Sequence, residues 1–186
     1  MLVIQTLFST LLSLSLFSSI AVAAPLPVLD NKVQNVFALA NAPPPLPTRA
    51  EVEKQLNVPA GDSLFYSCDN VDPPQGTCKQ ARDWAKANHP NLKVLSQLWI
   101  NSSYPNPWQQ DEQISKQFWD IASEAMAAKS AGTVYVVLPP WKQADGKDWY
   151  AGSFWARKEW PVLQSNSAVT AVIRTNAATG ATIKIK

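Results

Sequence analysis

Between residues 111 and 138 a long amphipathic helix pattern runs into a β-branched apolar run, with one glycine between them. Phe118, Ile121, Ala122, Ala125 and Met126 fall at i, i+3, i+4, i+7 and i+8, which is one face of a helix. Gly132 stands where a glycine would end that helix. Thr133, Val134, Tyr135, Val136, Val137 and Leu138 follow at once and read as a buried strand, closed by Pro139 and Pro140. A second apolar run over residues 168–174 reads as another buried strand. Two buried strands joined by a crossover pair in parallel, and the helix before them supplies a covering layer. After a turn at 177–180, residues 181–186 alternate as an edge strand.

The amino-terminal half reads differently. Thr48 and Glu51 form a capping box for a short helix over 49–56, stopped by Asn57-Val58-Pro59-Ala60-Gly61. A second helix starts at Thr77 or Cys78 and reaches about Asn88. Residues 63–68 are short and aromatic. Residues 91–99 are apolar but brief, and fit a strand or a helical turn equally. Tyr104-Pro105-Asn106-Pro107-Trp108 is a rigid loop. The expected fold is therefore α/β. Its amino-terminal half is mostly helical, and its carboxy-terminal half holds a short parallel sheet flanked by helices.

Residues 1–24 read as a secretory signal peptide, an apolar run ending Ala21-Val22-Ala23-Ala24 with no basic residue before it. Residues 25–48 form a proline-rich leader, and residues 49–186 are one domain, long enough for a proper core. A secreted, extracellular protein with no membrane span after signal removal is expected. In that compartment the two cysteines, Cys68 and Cys78, are expected to pair as a disulfide. Asn101-Ser102-Ser103 is a glycosylation sequon. Two cysteines and one histidine, His89 in a turn, cannot build a Cys- and His-rich zinc site, so no metal is expected. A net charge of +2 without a basic stripe gives no reason to propose nucleic acid as a partner. The compositional outlier is tryptophan, at 8 of 186 residues, a side chain favoured where flat ligands stack.

The motifs of the second half occur in a telling order. Phe118-Trp119-x-x-Ala122-Ser123 on the helix leads into Gly132-Thr133-Val134, and the segment after the strand reads Ser153-Phe154-Trp155-Ala156-Arg157-Lys158-Glu159. This resembles the core of the ADP-ribosyl cyclase family, where a Phe-Trp-x-x-(Ala/Val)-Ser helix precedes a strand and a Ser-x-Phe-Gly-x-x-Glu loop. Leu64-Phe65-Tyr66-Ser67-Cys68 looks like the family's Leu-Phe-Trp-Ser-Gly segment, with Tyr66 in the tryptophan's place. Val94-Leu95-Ser96-Gln97 stands for a Thr-Leu-Glu-Asp segment and lacks its acid. The family's dense disulfide set is also missing, so the resemblance implies a minimal relative.

What the resemblance implies is cleavage of the nicotinamide–ribose bond of NAD, giving nicotinamide with cyclic ADP-ribose, ADP-ribose or both. NAD is the substrate, and no cofactor is needed. Nicotinamide leaves neutral, so one carboxylate that stabilises charge on the ribose suffices, without the acid partner of ordinary glycoside hydrolysis. The resemblance assigns that carboxylate to Glu159, and substrate binding to Trp119, Tyr66, Ser153, Phe154 and Trp155. Asp111, Glu112, Asp120 and Glu124 receive no role. The alternative is a secreted, non-catalytic module that lays exposed tryptophans on carbohydrate or another surface. The two part over the carboxylate: an enzyme puts Glu159 inside an aromatic pocket, whereas a binding module sets its aromatics in an open row.

Overall fold

A computed structural model describes residues 43–67, 77–140, 149 and 151–186. The signal-peptide residues, Cys68 and most of the proline-rich leader lie outside the described residues, and with them the Cys68–Cys78 pairing.

Four strands form one mixed sheet in the order β1 (Leu64–Tyr66), β2 (Gly132–Leu138), β3 (Val169–Asn176), β4 (Thr182–Lys184). β1 pairs with β2 and β2 with β3 in parallel, and β4 lies antiparallel on β3. The sequence reading placed the sheet in the carboxy-terminal half alone. β1 carries it back into the amino-terminal half, and three residues are too few to show a strand period.

Around the sheet pack α1 (Arg49–Lys54), α2 (Thr77–Asn88), α3 (Glu112–Lys129) and α4 (Trp160–Ser165). α1 begins as its sequence requires. Thr48 Oγ1 accepts from the Glu51 N–H, and Glu51 Oε2 accepts from the Thr48 N–H at 2.7 Å. α3 is capped by Asp111, whose Oδ1 accepts from the Ile114 N–H at 2.8 Å. Its stripe of Phe118, Ala122, Ala125 and Met126 is buried against Val134, Val136 and Leu138 of β2. On the opposite face of the sheet, Ala81 and Ala85 of α2 pack with Leu64 and Val137. Residues 91–99, open between strand and helical turn in the sequence, form a short 3₁₀ turn at Leu95–Gln97, flanked by bridges from Lys93 to Ser63 and from Trp99 to Leu56.

Gly132 does not end α3. The helix stops at Lys129, where Ser130 Oγ donates to the Met126 carbonyl, and Asn166 Nδ2 donates to the carbonyls of Ala127, Ala128 and Ser130. Side chains thus satisfy the last carbonyls of the helix, as a glycine cap would otherwise do. Gly132, at φ +70°, instead opens β2 at an irregularity in its register with β3, where a Cβ would lie 3.4 Å from the Gly61 nitrogen.

The last residues of the proline-rich stretch belong to the packed body. The Trp108 indole N–H donates to the Pro44 carbonyl at 3.1 Å, and its ring stacks on Phe118 at 4.8 Å and 7°. No helix among the described residues is long and apolar enough to cross a membrane.

Candidate active site

The segment that follows β2 returns to α3 as a wide helical turn, Trp155–Glu159. Ser153 precedes it, and its hydroxyl accepts from the Ala156 N–H at 3.1 Å. The turn ends where the Trp160 N–H reaches the Trp155 carbonyl, five residues back. The next residue, Pro161, has no N–H to offer, so a regular i→i−4 bond cannot form there. Turns of this width often mark functional sites. Two ion pairs bind the turn to α3: Arg157 Nη2 to Asp120 Oδ1 at 3.2 Å, and Lys158 Nζ to Glu124 Oε1 at 2.7 Å. Asp120 and Glu124, charged helix positions without an assigned role in the sequence, therefore help to hold the element that carries Glu159.

Glu159 is 7% exposed and lines a cavity of about 580 Å³ at the carboxyl end of β1. Ligands of α/β sheets bind at that end of the strands. Trp119 from α3, Tyr66 from β1, and Ser153 and Phe154 from the segment before the wide turn line the same cavity. Ser123 lines it too and is hydrogen-bonded to the Glu159 carboxyl, while Glu159 Oε2 has no hydrogen-bond partner. Burial pushes the Glu159 carboxyl from the ordinary 4.5 up to about 8, against the lowering effect of the Ser123 hydrogen bond. Burial thus favours the protonated acid at neutral pH. A cationic group bound beside it favours the carboxylate instead.

Trp155 is not part of this lining. Its ring is fully buried, 6.2 Å from Phe65, 5.8 Å from Trp149 and 5.6 Å from Trp160. The wide turn sends Phe154 to the cavity and its neighbour Trp155 into the core. Of the sequence-assigned binding residues, Tyr66, Trp119, Ser153 and Phe154 meet Glu159 and Trp155 does not. Asn101 lies away from the cavity in an exposed turn, its Oδ1 accepting from the backbone and hydroxyl of Ser103.

No family model matches the chain, and no curated protein matches it. The fold is similar to those of solved ADP-ribosyl cyclases. A cyclase complexed with N1-cIDPR aligns at 17% identity over 63% of this chain and 50% of its own, with a TM-score of 0.41. Aplysia cyclase, complexed with the substrate NGD and the product cGDPR, aligns at 18% over 63% of this chain and 49% of its own, with the same TM-score of 0.41. Apo porcine CD38 aligns at 17% over 73% of this chain and 62% of its own, again at 0.41. The chain thus spans about half the length of the cyclases it is similar to. At that identity and TM-score the likeness carries no argument about the chemistry, which rests on the cavity itself.

Two kinds of cavity residue escaped assignment from the sequence. Ser123 stands in the helix motif without a role, although i+4 from Trp119 puts both on one side of α3. Lys116 and Arg157 also line the cavity. Lys116 is three residues before Trp119, a spacing that shares its face. No linear signal marks Arg157, because its position follows from the wide turn.

Proposed function

We propose that this chain cleaves the bond between nicotinamide and ribose in NAD, releasing nicotinamide with ADP-ribose and cyclic ADP-ribose. One observation carries the reading: a single buried carboxyl, Glu159 beside Ser123, among the lining of a cavity walled by Trp119, Phe154 and Tyr66. Aromatic walls suit a flat base, and stacking of this kind is worth about 1–3 kcal/mol per base. The substrate's own pyridinium charge brings the carboxyl towards its ionised form. As nicotinamide leaves with the bonding electron pair, its ring becomes neutral and positive charge passes to the ribose, facing the Glu159 carboxylate. Water then adds to the ribose carbon and gives up a proton, or the adenine ring adds instead and closes the cyclic product. Incubating purified protein with NAD and separating the products by chromatography tests this directly. Unchanged NAD after prolonged incubation overturns it.

The reading includes secretion behind the 1–24 signal, a Cys68–Cys78 disulfide and a glycan on Asn101. The binding-module alternative draws no support from the tryptophans. Each described one packs against another aromatic ring, and Ile100 is the large hydrophobic left exposed among the described residues.

Glu159 also sets the pH dependence. Only the ionised form stabilises a cation, so kcat/KM is expected to rise about tenfold per pH unit below about 8 and to level off above it. Measured between pH 5.5 and 9.5, a flat profile excludes titration of Glu159 as the controlling event.

Phe154 bears on the product. Cyclisation needs the adenine folded back and water kept from the reacting carbon. Phe154 lines the cavity directly beside Ser153 and supplies an apolar wall. Phe154→Thr is expected to shift the product ratio towards linear ADP-ribose. Ser96, an exposed residue of the same lining, stands where the resembled family carries an acid and offers a hydroxyl instead. An unchanged ratio of cyclic to linear product in Phe154→Thr removes the role given to this ring, whatever the rate of NAD cleavage.

A further inference from the structure

The cavity has a buried polar end and a charged, exposed one. Glu159 and Ser123 are buried, whereas Lys116 and Arg157 line the same cavity and are exposed. Lys116, Trp119 and Ser123 follow at i, i+3 and i+7 along α3, so Lys116 stands about 10 Å along the helix axis from Ser123. Asp120 is four residues after Lys116 and thus its neighbour on the helix surface. Asp120 in turn holds Arg157, so the two cations flank one turn of α3. The Arg157 guanidinium also donates from Nε to the Gly152 carbonyl at 2.9 Å, and it lies 5.4 Å from the centre of the Phe154 ring. Glu159 is the one carboxylate among the described lining residues.

We propose that Lys116 and Arg157 form an anion-binding rim for a diphosphate attached to the 5′ position of the ribose held at Glu159, and that Asp120 occupies Arg157 until the diphosphate displaces it. The proposal rests on the reading of the buried end as a ribosyl site. A ribose placed at Glu159 directs its 5′ substituent one sugar length outwards, and a lysine side chain covers the remaining reach. Arginine presents a planar fork that fits two phosphate oxygens, and lysine adds a mobile point charge. Phe154 beneath the guanidinium keeps its plane in place when Asp120 is exchanged for phosphate. Asp120 competes with the ligand, so removing its charge strengthens binding. The substrate class follows: pyridinium nucleotides that carry a 5′-diphosphate, in preference to nicotinamide riboside.

The test has two arms on the full chain. Calorimetry with inorganic pyrophosphate and with ADP needs no turnover. The double variant Lys116→Met, Arg157→Met is expected to bind ADP at least about tenfold more weakly than the parent. Lys116→Arg should stay within about threefold, Arg157→Lys should bind more weakly because an ammonium cannot supply the fork, and Asp120→Asn should bind severalfold more tightly. The second arm compares kcat/KM for NAD with that for nicotinamide riboside, and the ratio should fall about tenfold or more in the double variant. Equal binding of ADP and pyrophosphate by parent and double variant overturns the rim, and so does an unchanged substrate ratio. If ADP binds through the rim but NAD stays intact, the rim stands and the glycosidic reading falls. If NAD is cleaved with an unchanged ratio, the reverse holds.

Discussion

Glu159→Gln is expected to lose about a thousandfold or more in NAD cleavage while gaining stability at neutral pH. The loss follows from removing the charge that faces the ribosyl cation, at unchanged side-chain size. The gain follows from the burial of that charge. In the unfolded chain the carboxyl ionises near 4.5, whereas in the empty folded cavity it holds its proton up to about 8. Between those values the unfolded state binds fewer protons than the folded one, so stability falls as pH rises, and above about 8 it levels off. At pH 7 the penalty amounts to about 3 kcal/mol, which a neutral amide escapes. Urea unfolding of parent and variant should therefore show the variant more stable at pH 7, with the difference shrinking to nothing towards pH 4.5. Catalysis within a few-fold of the parent in the folded variant would falsify the role of Glu159. A stability difference independent of pH would show that its carboxyl is not held neutral by burial. The two readouts move in opposite directions, so mere damage to the fold cannot imitate the result.

Truncating Trp155 of the wide turn and Trp119 of α3 in turn should separate substrate contact from packing. Trp155→Ala removes a fully buried ring from contact with Phe65, Trp149 and Trp160, and is expected to cost about 3–5 kcal/mol of stability. Trp155→Phe should cost far less, because it also removes a buried indole N–H that has no partner. Trp119→Ala acts elsewhere. Its ring lines the cavity and is only partly buried, so kcat/KM for NAD should fall about ten- to a hundredfold, the equivalent of one stacking contact. Denaturant midpoints and kinetics on the same preparations check both. A Trp155→Ala protein as stable as the parent but weak in substrate binding would return Trp155 to the cavity.

How much of this could be read from the chain depends on which residues signal locally. The Thr48–Glu51 box, the Asp111-capped helix and the apolar run after it each carry their own instruction, and each appears where its residues place it. β1 carries none, since Leu64–Tyr66 owes its strand state to pairing with β2. Gly132 pointed to a helix end, but close approach to Gly61 and the opening of β2 claim it. In the site, the meeting of Glu159 and Trp119 in one cavity was legible through motif order, because each motif lies within one element. Trp155 was misread because neighbouring residues in a wide turn point to different sides, and spacing along the chain does not say which side is core. Arg157 and its partner Asp120 were silent for a related reason. Their pairing spans 37 residues and exists only once the turn is seated on α3.

The wide turn has a consequence for how such a site can arise and disappear. One residue corresponds to about 100° of rotation in a regular helix. Losing a single position between Trp155 and Glu159 would convert the turn to the regular pitch and swing the carboxyl away from Ser123. The sheet and α3 would keep their own hydrogen bonds. On the reading proposed above, gain and loss of the reactive carboxyl would be separated by one codon of length rather than by a rebuilt scaffold. Among descendants of a common ancestor, the same fold could alternate between a reactive cavity and an inert one, and the register of this one turn would tell them apart.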